Sequence, residues 1–383
     1  MKEYRLGDII EIKHGYAFAG EHIVQEDNGI VLVTPGNFRI GGGFQEERCK
    51  FYTGEIPDDY VLSAGDYIVT MTDLSKEIDT LGYSAIVPES DKTYLHNQRI
   101  GLISFKNDEC YPGYIYFLMR THLYQRSIAN TSTGATVHHT SPAKIYDYRF
   151  SAPKCETQRK IADYLFTYEK LIENNQKQIK LLEEAAQRLY KEWFVDLHFP
   201  GHETTPVTDG IPEGWTATNI NAVMTFHRGY DLTKNNMVSG KYPVVGSTSI
   251  IGYHNQFKIN GPGIVTGRSG SLGEYQLIWD DYWPHNTSLY VSDMKGHHVL
   301  YLYSMLQTVD FSGLNNGGAI PTLNRNTLSN ISVIEAPKVL QNEYVRIVAP
   351  IYSTIRTAKQ QIEYLQEARD RLLPKLMNGE IEV

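Results

Sequence analysis

Three kinds of stretch carry the residues best suited to chemistry. GRSGSLG (Gly267–Gly273) spaces three glycines three residues apart, directly after the strand-like GIVT. Neither G-x-G-x-x-G nor G-x-x-x-x-G-K-[ST] is met, so support for a nucleotide-phosphate cradle is weak. Small residues around Arg268 and Ser269 would equally let the backbone approach a nucleic-acid phosphate, and arginine suits a phosphate or a guanine edge. A plain tight hairpin explains the same letters. The loops STGATVHHT (Ser132–Thr140) and NNGGAIPTLNRNT (Asn315–Thr327) gather Asn, Thr, Ser and Gly. Such side chains hydrogen-bond base edges and phosphates without net charge, although ordinary surface turns share this composition. The pairs His138/His139 and His297/His298 have no Cys, Asp or Glu set at ligand spacing beside them, so no metal site is expected. No Ser/His/Asp order, paired-carboxylate motif or nuclease-like cluster stands out.

These stretches recur in order. KHGY (Lys13–Tyr16) returns as HRGY (His227–Tyr230), GDYIVTMTDLS (Gly65–Ser75) as PGIVTGRSGSLGEY (Pro262–Tyr275), and STGATVHHT as NNGGAIPTL. The helix-like PGYIYFLMRTHLYQRSI (Pro112–Ile128) is echoed by VLYLYSMLQ (Val299–Gln307), and APK at Ala152–Lys154 by APK at Ala336–Lys338. An internal duplication of this kind sets the architecture. The expected domains are a recognition-type domain at 1–152, a long-helix spacer at 153–199, a linker at 200–214, a second domain at 215–336 and a second long helix at 337–383. Short alternating strand-like runs such as DYIVTM and RIGLISF make each globular half α/β.

The elements that must position these loops are the two helical stretches. From Thr157 to Trp193 apolar residues alternate four and three apart (Ile161, Leu165, Tyr168, Ile172, Ile179, Leu182, Ala186, Leu189, Trp193), with Asn175 filling one gap. That is a seam of about five heptads, in which a lone polar residue fixes register. The second stretch runs Ile351, Ile355, Ala358, Ile362, Leu365, Arg369, Leu372, Leu376, with Arg369 as its polar member. Two such seams most simply pair with each other, antiparallel, with an approximate twofold relation between the halves. Pro350 is expected at the start of the second helix, and Pro374 is expected to kink its end. At ~1.5 Å per residue the first helix is a strut of roughly 55 Å. Its end, RLYKEWFVDLHF, clusters Tyr190, Trp193, Phe194 and Phe199. These either cap the helix pair against the domains or form a partner-docking surface.

Composition narrows the function. The 383 residues carry 36 basic and 44 acidic side chains, a net charge of −8. A nucleic-acid binder of this balance needs a local basic surface or positive charge from a partner. Three scattered cysteines encode neither a disulfide framework nor a thiolate zinc site. The start MKEYRLGDII lacks a signal-peptide apolar region and no run reaches membrane-span length, so a cytoplasmic protein is expected.

With the duplication, the strut and the string AQRLYKEWFVDLHFPGHE (Ala186–Glu203) in view, the chain resembles the specificity subunits of type I restriction-modification systems over essentially its whole length. APKCETQRKIADYL and LYKEWF resemble the family's spacer regions; PGIVTGRSGSLG and DYWPHNTSLYV (Asp281–Val291) resemble one version of its target-recognition domain. The resemblance implies that each half reads one part of a bipartite double-stranded DNA site and that the helix pair spaces the halves. It also implies two modification subunits docked around the helices, with restriction subunits joining them. No Asn-Pro-Pro-aromatic tetrapeptide and no Walker motif occurs, so no cofactor is expected on this chain: S-adenosylmethionine, ATP and Mg belong on partner subunits. Related defence systems also use specificity-type subunits. A single-chain nuclease would need a catalytic cluster, and a structural adaptor would leave the duplicated polar loops unexplained. Candidate DNA contacts are Lys13, His14, Tyr16, Arg39, Thr133, Thr136 and His138, then Arg228, Tyr230, Arg268, Ser269, Asn316 and Arg325. Tyr190, Trp193 and Phe194 are the candidate docking residues. The seam is assigned to Leu165, Ile172, Asn175, Ile179, Leu182, Ile355, Ile362, Leu365 and Arg369.

Overall fold

A computed structural model describes residues 1–75, 77–267, 273–309 and 331–382. It divides into one unit made of residues 1–174 and 361–383 and another made of residues 175–360.

In the first unit the alternating apolar runs form an antiparallel four-stranded sheet in the order Ile10–His14, Ile100–Phe105, Tyr67–Thr70, Ser84–Ile86. A five-stranded sheet runs in the order Ile23–Val24, Lys50–Tyr52, Ile30–Val33, Thr93–His96, Val61–Leu62. Its central strand contributes Val31, Leu32 and Val33, all fully buried, the continuous apolar run expected of a strand covered on both faces. The expected helix at 112–128 is two, Pro112–Leu118 and His122–Asn130. Thr121 interrupts it by capping the second, its hydroxyl accepting from Tyr124 N–H at 3.3 Å.

The second unit repeats the plan: Thr225–Arg228, Ser288–Asp293, Gly263–Gly267, Tyr275–Ile278 form an antiparallel four-stranded sheet, and Ile250–His254, Tyr242–Val245, Trp283–Pro284 a three-stranded one. Each unit also closes its chain path with an antiparallel pair, Lys2–Arg5 with Arg149–Ala152 and Thr216–Asn219 with Ser332–Glu335.

The long helices are Cys155–Phe194 and Lys338–Met377, 40 residues each. They run antiparallel within each unit. In the first, Ile161, Ala162 and Leu165 share a core with Leu373, Leu376 and Met377, while Glu169 pairs with Arg369. In the second, Glu183 pairs with Lys359 at 3.1 Å and the Ala186 carbonyl accepts from Tyr344 at 3.3 Å. Of the residues assigned to the seam, Leu165, Ile172, Ile179 and Ile355 are buried, and Leu182, Ile362, Leu365 and Asn175 are half-buried. The expected helix start at Pro350 is corrected, because the helix begins at Lys338 and passes through the proline. Proline in a helix interior forfeits one backbone hydrogen bond. Here Tyr344, Val348, Tyr352 and Ile355, all buried on either side of it, supply packing that outweighs this cost.

The polar seam residue Arg369 has a definite partner set. Its guanidinium meets Glu169 at 2.7 Å and Asp370 at 2.7 Å, and the same Glu169 oxygen receives Arg120 at 3.0 Å. Arg120 is nearly fully buried, donating also to the Gly41 carbonyl at 2.9 Å and the Tyr116 hydroxyl at 2.7 Å. Burial pushes the Glu169 carboxyl up, but the two guanidiniums outweigh it and hold the group below its ordinary range.

Candidate nucleic-acid interface

Strand register places the singled-out loops of the first unit at one edge. His14 lies opposite Gly101, and Gly101 opposite Val69, so the strands ending at His14 and Thr70 deliver their chains to the same sheet end. From His14 the backbone turns a corner in which Tyr16 bridges Asn97 and its N–H donates to the His96 carbonyl at 2.8 Å. Only glycine fits at position 15, since a Cβ there would stand 2.2 Å from the Asn97 carbonyl oxygen. Lys13, His14 and Tyr16 are all exposed.

The loop leaving Thr70 is organised by a buried carboxylate. Asp73 accepts from Ser75 N–H at 2.6 Å, Thr80 N–H at 2.6 Å, the Thr80 hydroxyl at 2.7 Å and Leu81 N–H at 3.0 Å. Burial raises its pKa and these donors more than reverse the effect, so it stays ionised. The polar loop at 132–140 folds onto this turn: His138 and His139 pair antiparallel with Asp73 and Thr72, and Thr140 N–H donates to the Met71 carbonyl at 3.0 Å. Two loops far apart in sequence therefore form one surface, with Thr133 and Thr136 exposed on it and His138 half-buried beneath. Arg39 belongs to a different turn, tied through Gly43 N–H to the Ser84 carbonyl at 2.9 Å.

The second unit rebuilds the same corner. Arg228 lies opposite Leu289, and Leu289 opposite Thr266, so Arg228 and the strand end at Gly267 share an edge. Tyr230 bridges His285, its N–H donates to the Pro284 carbonyl at 2.8 Å, and a Cβ on Gly229 would stand 2.0 Å from the His285 carbonyl oxygen. Arg228 is exposed; Tyr230 is half-buried, its hydroxyl 3.0 Å from that of Tyr290. Arg268, Ser269, Asn316 and Arg325 lie outside the described residues.

Residues that the sequence did not single out also gather here. Asp73 is one, and the aromatics Tyr60 and Trp283 and the cation Lys258 flank the two corners. Asp73 had a readable signal, an aspartate followed at short range by Ser and Thr donors, as in an Asx turn.

The expectation of a docking surface at Tyr190, Trp193 and Phe194 is corrected. All three are buried, with Trp193 and Phe194 each 7% exposed. Tyr190 and Phe194 pack on Tyr301 and Tyr344, and Phe194 and Phe199 on Trp215. A cluster of large aromatics contributes more by mutual burial than it could exposed. These side chains are buried in an aromatic cluster within the second unit.

Among the described residues no group of three or more His, Cys, Asp or Glu is placed to hold a metal ion. No helix among them is long and apolar enough to cross a membrane.

Residues 1–184 and 212–367 match the family described as the type I restriction modification DNA specificity domain. The type I restriction enzyme MjaIX specificity subunit of Methanocaldococcus jannaschii is 26% identical over 300 residues, 70% of this chain and 69% of that protein. The MjaVIII specificity subunit of the same organism is 20% identical over 192 residues, 48% of this chain and 43% of that one. Among solved structures, the type I restriction-modification S subunit from M. genitalium superposes with a TM-score of 0.58 at 17% identity, covering 98% of this chain and 96% of that chain, a likeness of fold. The duplicated α/β units, the paired long helices and these matches agree: the chain belongs to the type I restriction-modification DNA specificity family, as a DNA-recognising subunit that is not itself an enzyme.

Proposed function

We propose that each unit reads one half of a bipartite double-stranded DNA site, through the sheet edge that carries its Gly-Tyr corner. The observation that carries this is the recurrence of the corner, Gly15-Tyr16 against Asn97 and Gly229-Tyr230 against His285, at the same strand ends in both units. In the first unit the neutral polar surface of Thr133, Thr136 and the Asp73-anchored turn supplies hydrogen-bonding groups for base edges. Helices of 40 residues span about 60 Å, enough to fix the separation of two half-sites, since one groove face recurs about every 34 Å along B-DNA.

Two modification subunits dock on the outer faces of the long helices, where Tyr164, Leu181 and Tyr364 stand 46%, 66% and 69% exposed. Restriction subunits complete the complex. S-adenosylmethionine, ATP and Mg are held by those partners, and the assembly works in the cytoplasm. Adenine methylation mapped genome-wide in cells with and without this chain tests the reading. The expected result is loss of one bipartite motif on deletion; an unchanged methylome refutes it.

A further inference from the structure

Beside each Gly-Tyr corner a lysine ammonium rests on an aromatic face. In the first unit Lys13 Nζ sits 4.8 Å from the Tyr60 ring centroid and donates to the Asp59 carbonyl at 2.9 Å; Tyr60 in turn packs on Tyr16, ring centroids 5.3 Å apart. In the second, Lys258 Nζ sits 4.8 Å from the Trp283 ring and 5.7 Å from the ring of Tyr230, the corner tyrosine itself. Both lysines are exposed, and among the described residues neither meets a carboxylate.

The two lysines do not occupy equivalent positions. Aligning the corners puts His227 at the place of Lys13. Lys258 instead precedes Ile259, which bridges Tyr282, as Val61 and Leu62 pair with Leu95 and Tyr94 in the first unit. In one unit the corner strand supplies the cation and the neighbouring segment the ring; in the other the neighbouring segment supplies the cation, and Trp283 beside the corner, with Tyr230 farther off, supplies the rings. Copying of the sequence alone does not produce that exchange. What the two units share is a lysine ammonium held on an aromatic face beside the Gly-Tyr corner.

An aromatic face orients an ammonium without neutralising it. In a chain of net charge −8 an unpaired, oriented cation at a DNA-facing edge is a group for an external anion. We propose that Lys13 and Lys258 are matched phosphate contacts. They hold the DNA backbone against each corner and set its register, while the neighbouring polar loops read bases. This rests on the DNA-reading role proposed above for the two edges.

The test uses the whole complex purified with its partner subunits. Its probe is a 40-base-pair duplex carrying the bipartite sequence obtained from the methylation map, together with duplexes altered at one base in either half. Affinities of wild type, Lys13→Gln, Lys258→Gln and Lys13→Arg are measured against salt. Each glutamine variant is expected to lower the salt slope by about 0.9 and to weaken binding about five- to tenfold near 0.1 M salt. The weakening should be equal on the original and altered duplexes, and Lys13→Arg should restore the slope. A slope unchanged from wild type, or a relaxed preference at one base, overturns the phosphate assignment. If wild type itself does not prefer the mapped duplex over a scrambled one, the recognition reading falls as well, which separates the two failures.

Discussion

Replacing Glu169 by Gln should destabilise the first unit by more than a surface substitution could. The carboxylate is shared by two guanidiniums, at 3.0 Å from Arg120 and 2.7 Å from Arg369, whose side chains are only 2% and 12% exposed. Removing one partner of a buried ion pair costs about 3–5 kcal/mol, because the remaining charge is stranded. Three features reduce the figure: Glu169 itself is 22% exposed, and Arg369 keeps its contact with Asp370. Arg120 also keeps the Gly41 carbonyl. A loss of about 2–3 kcal/mol is therefore expected, or roughly 5–10 °C in the transition of a unit of this size. Adding Arg369→Met to Glu169→Gln should recover part of the loss by removing one stranded charge, so the single costs should exceed their joint cost. The carboxyl titrates below its unfolded value of about 4.3, so its stabilisation is complete above that pH and is lost as pH falls through the folded pKa. The glutamine variant should lack this part of the acid dependence. Calorimetry or urea unfolding followed by tryptophan-independent far-UV signal reads all three effects. A loss under about 0.5 kcal/mol, with additive single costs, would refute the account.

Gly15→Ala should disturb the corner against Asn97, costing about 1–3 kcal/mol by overpacking, and should degrade recognition of one half-site while the other is retained. Methylation mapping of that variant checks it, and equal damage to both halves would contradict the assignment of one edge to one half-site. Trp193→Ala should destabilise the second unit by about 3–5 kcal/mol, as for any emptied aromatic core position. Unfolding midpoints decide this; a stable variant that merely fails to join its partner subunits would restore the docking surface.

The parts legible in sequence were those with a period or a repeat. The four-three seam announced both long helices, and KHGY with HRGY announced the two corners, because each depends on local spacing. Pro350 misled because a proline's local cost is visible in sequence, whereas the packing of Tyr344, Val348 and Tyr352 that outweighs it is not. Trp193 and Phe194 could be read as core or as surface, since aromatic clusters suit both and only their neighbours Tyr301, Tyr344 and Trp215 decide. Lys258 was hidden for a third reason: it reaches its corner from a segment with no lysine at the matching place in the other half.

One feature of the first unit bears on how the chain is made. Its core joins Tyr114, Phe117, Ile161 and Leu165 to Leu373, Leu376 and Met377, and the Tyr114 hydroxyl donates to the Met377 carbonyl at 3.4 Å. On the ribosome, the domain begun first is thus completed only after the intervening 175–360 unit has emerged. Domains usually mature in the order of synthesis, and contacts this distant in sequence form slowly. Here the amino-terminal body must wait, with an apolar groove awaiting the residues that fill it. During translation it is therefore the half most exposed to chaperones and proteases, and a ribosome stalled before codon 373 would leave it without Leu373, Leu376 and Met377.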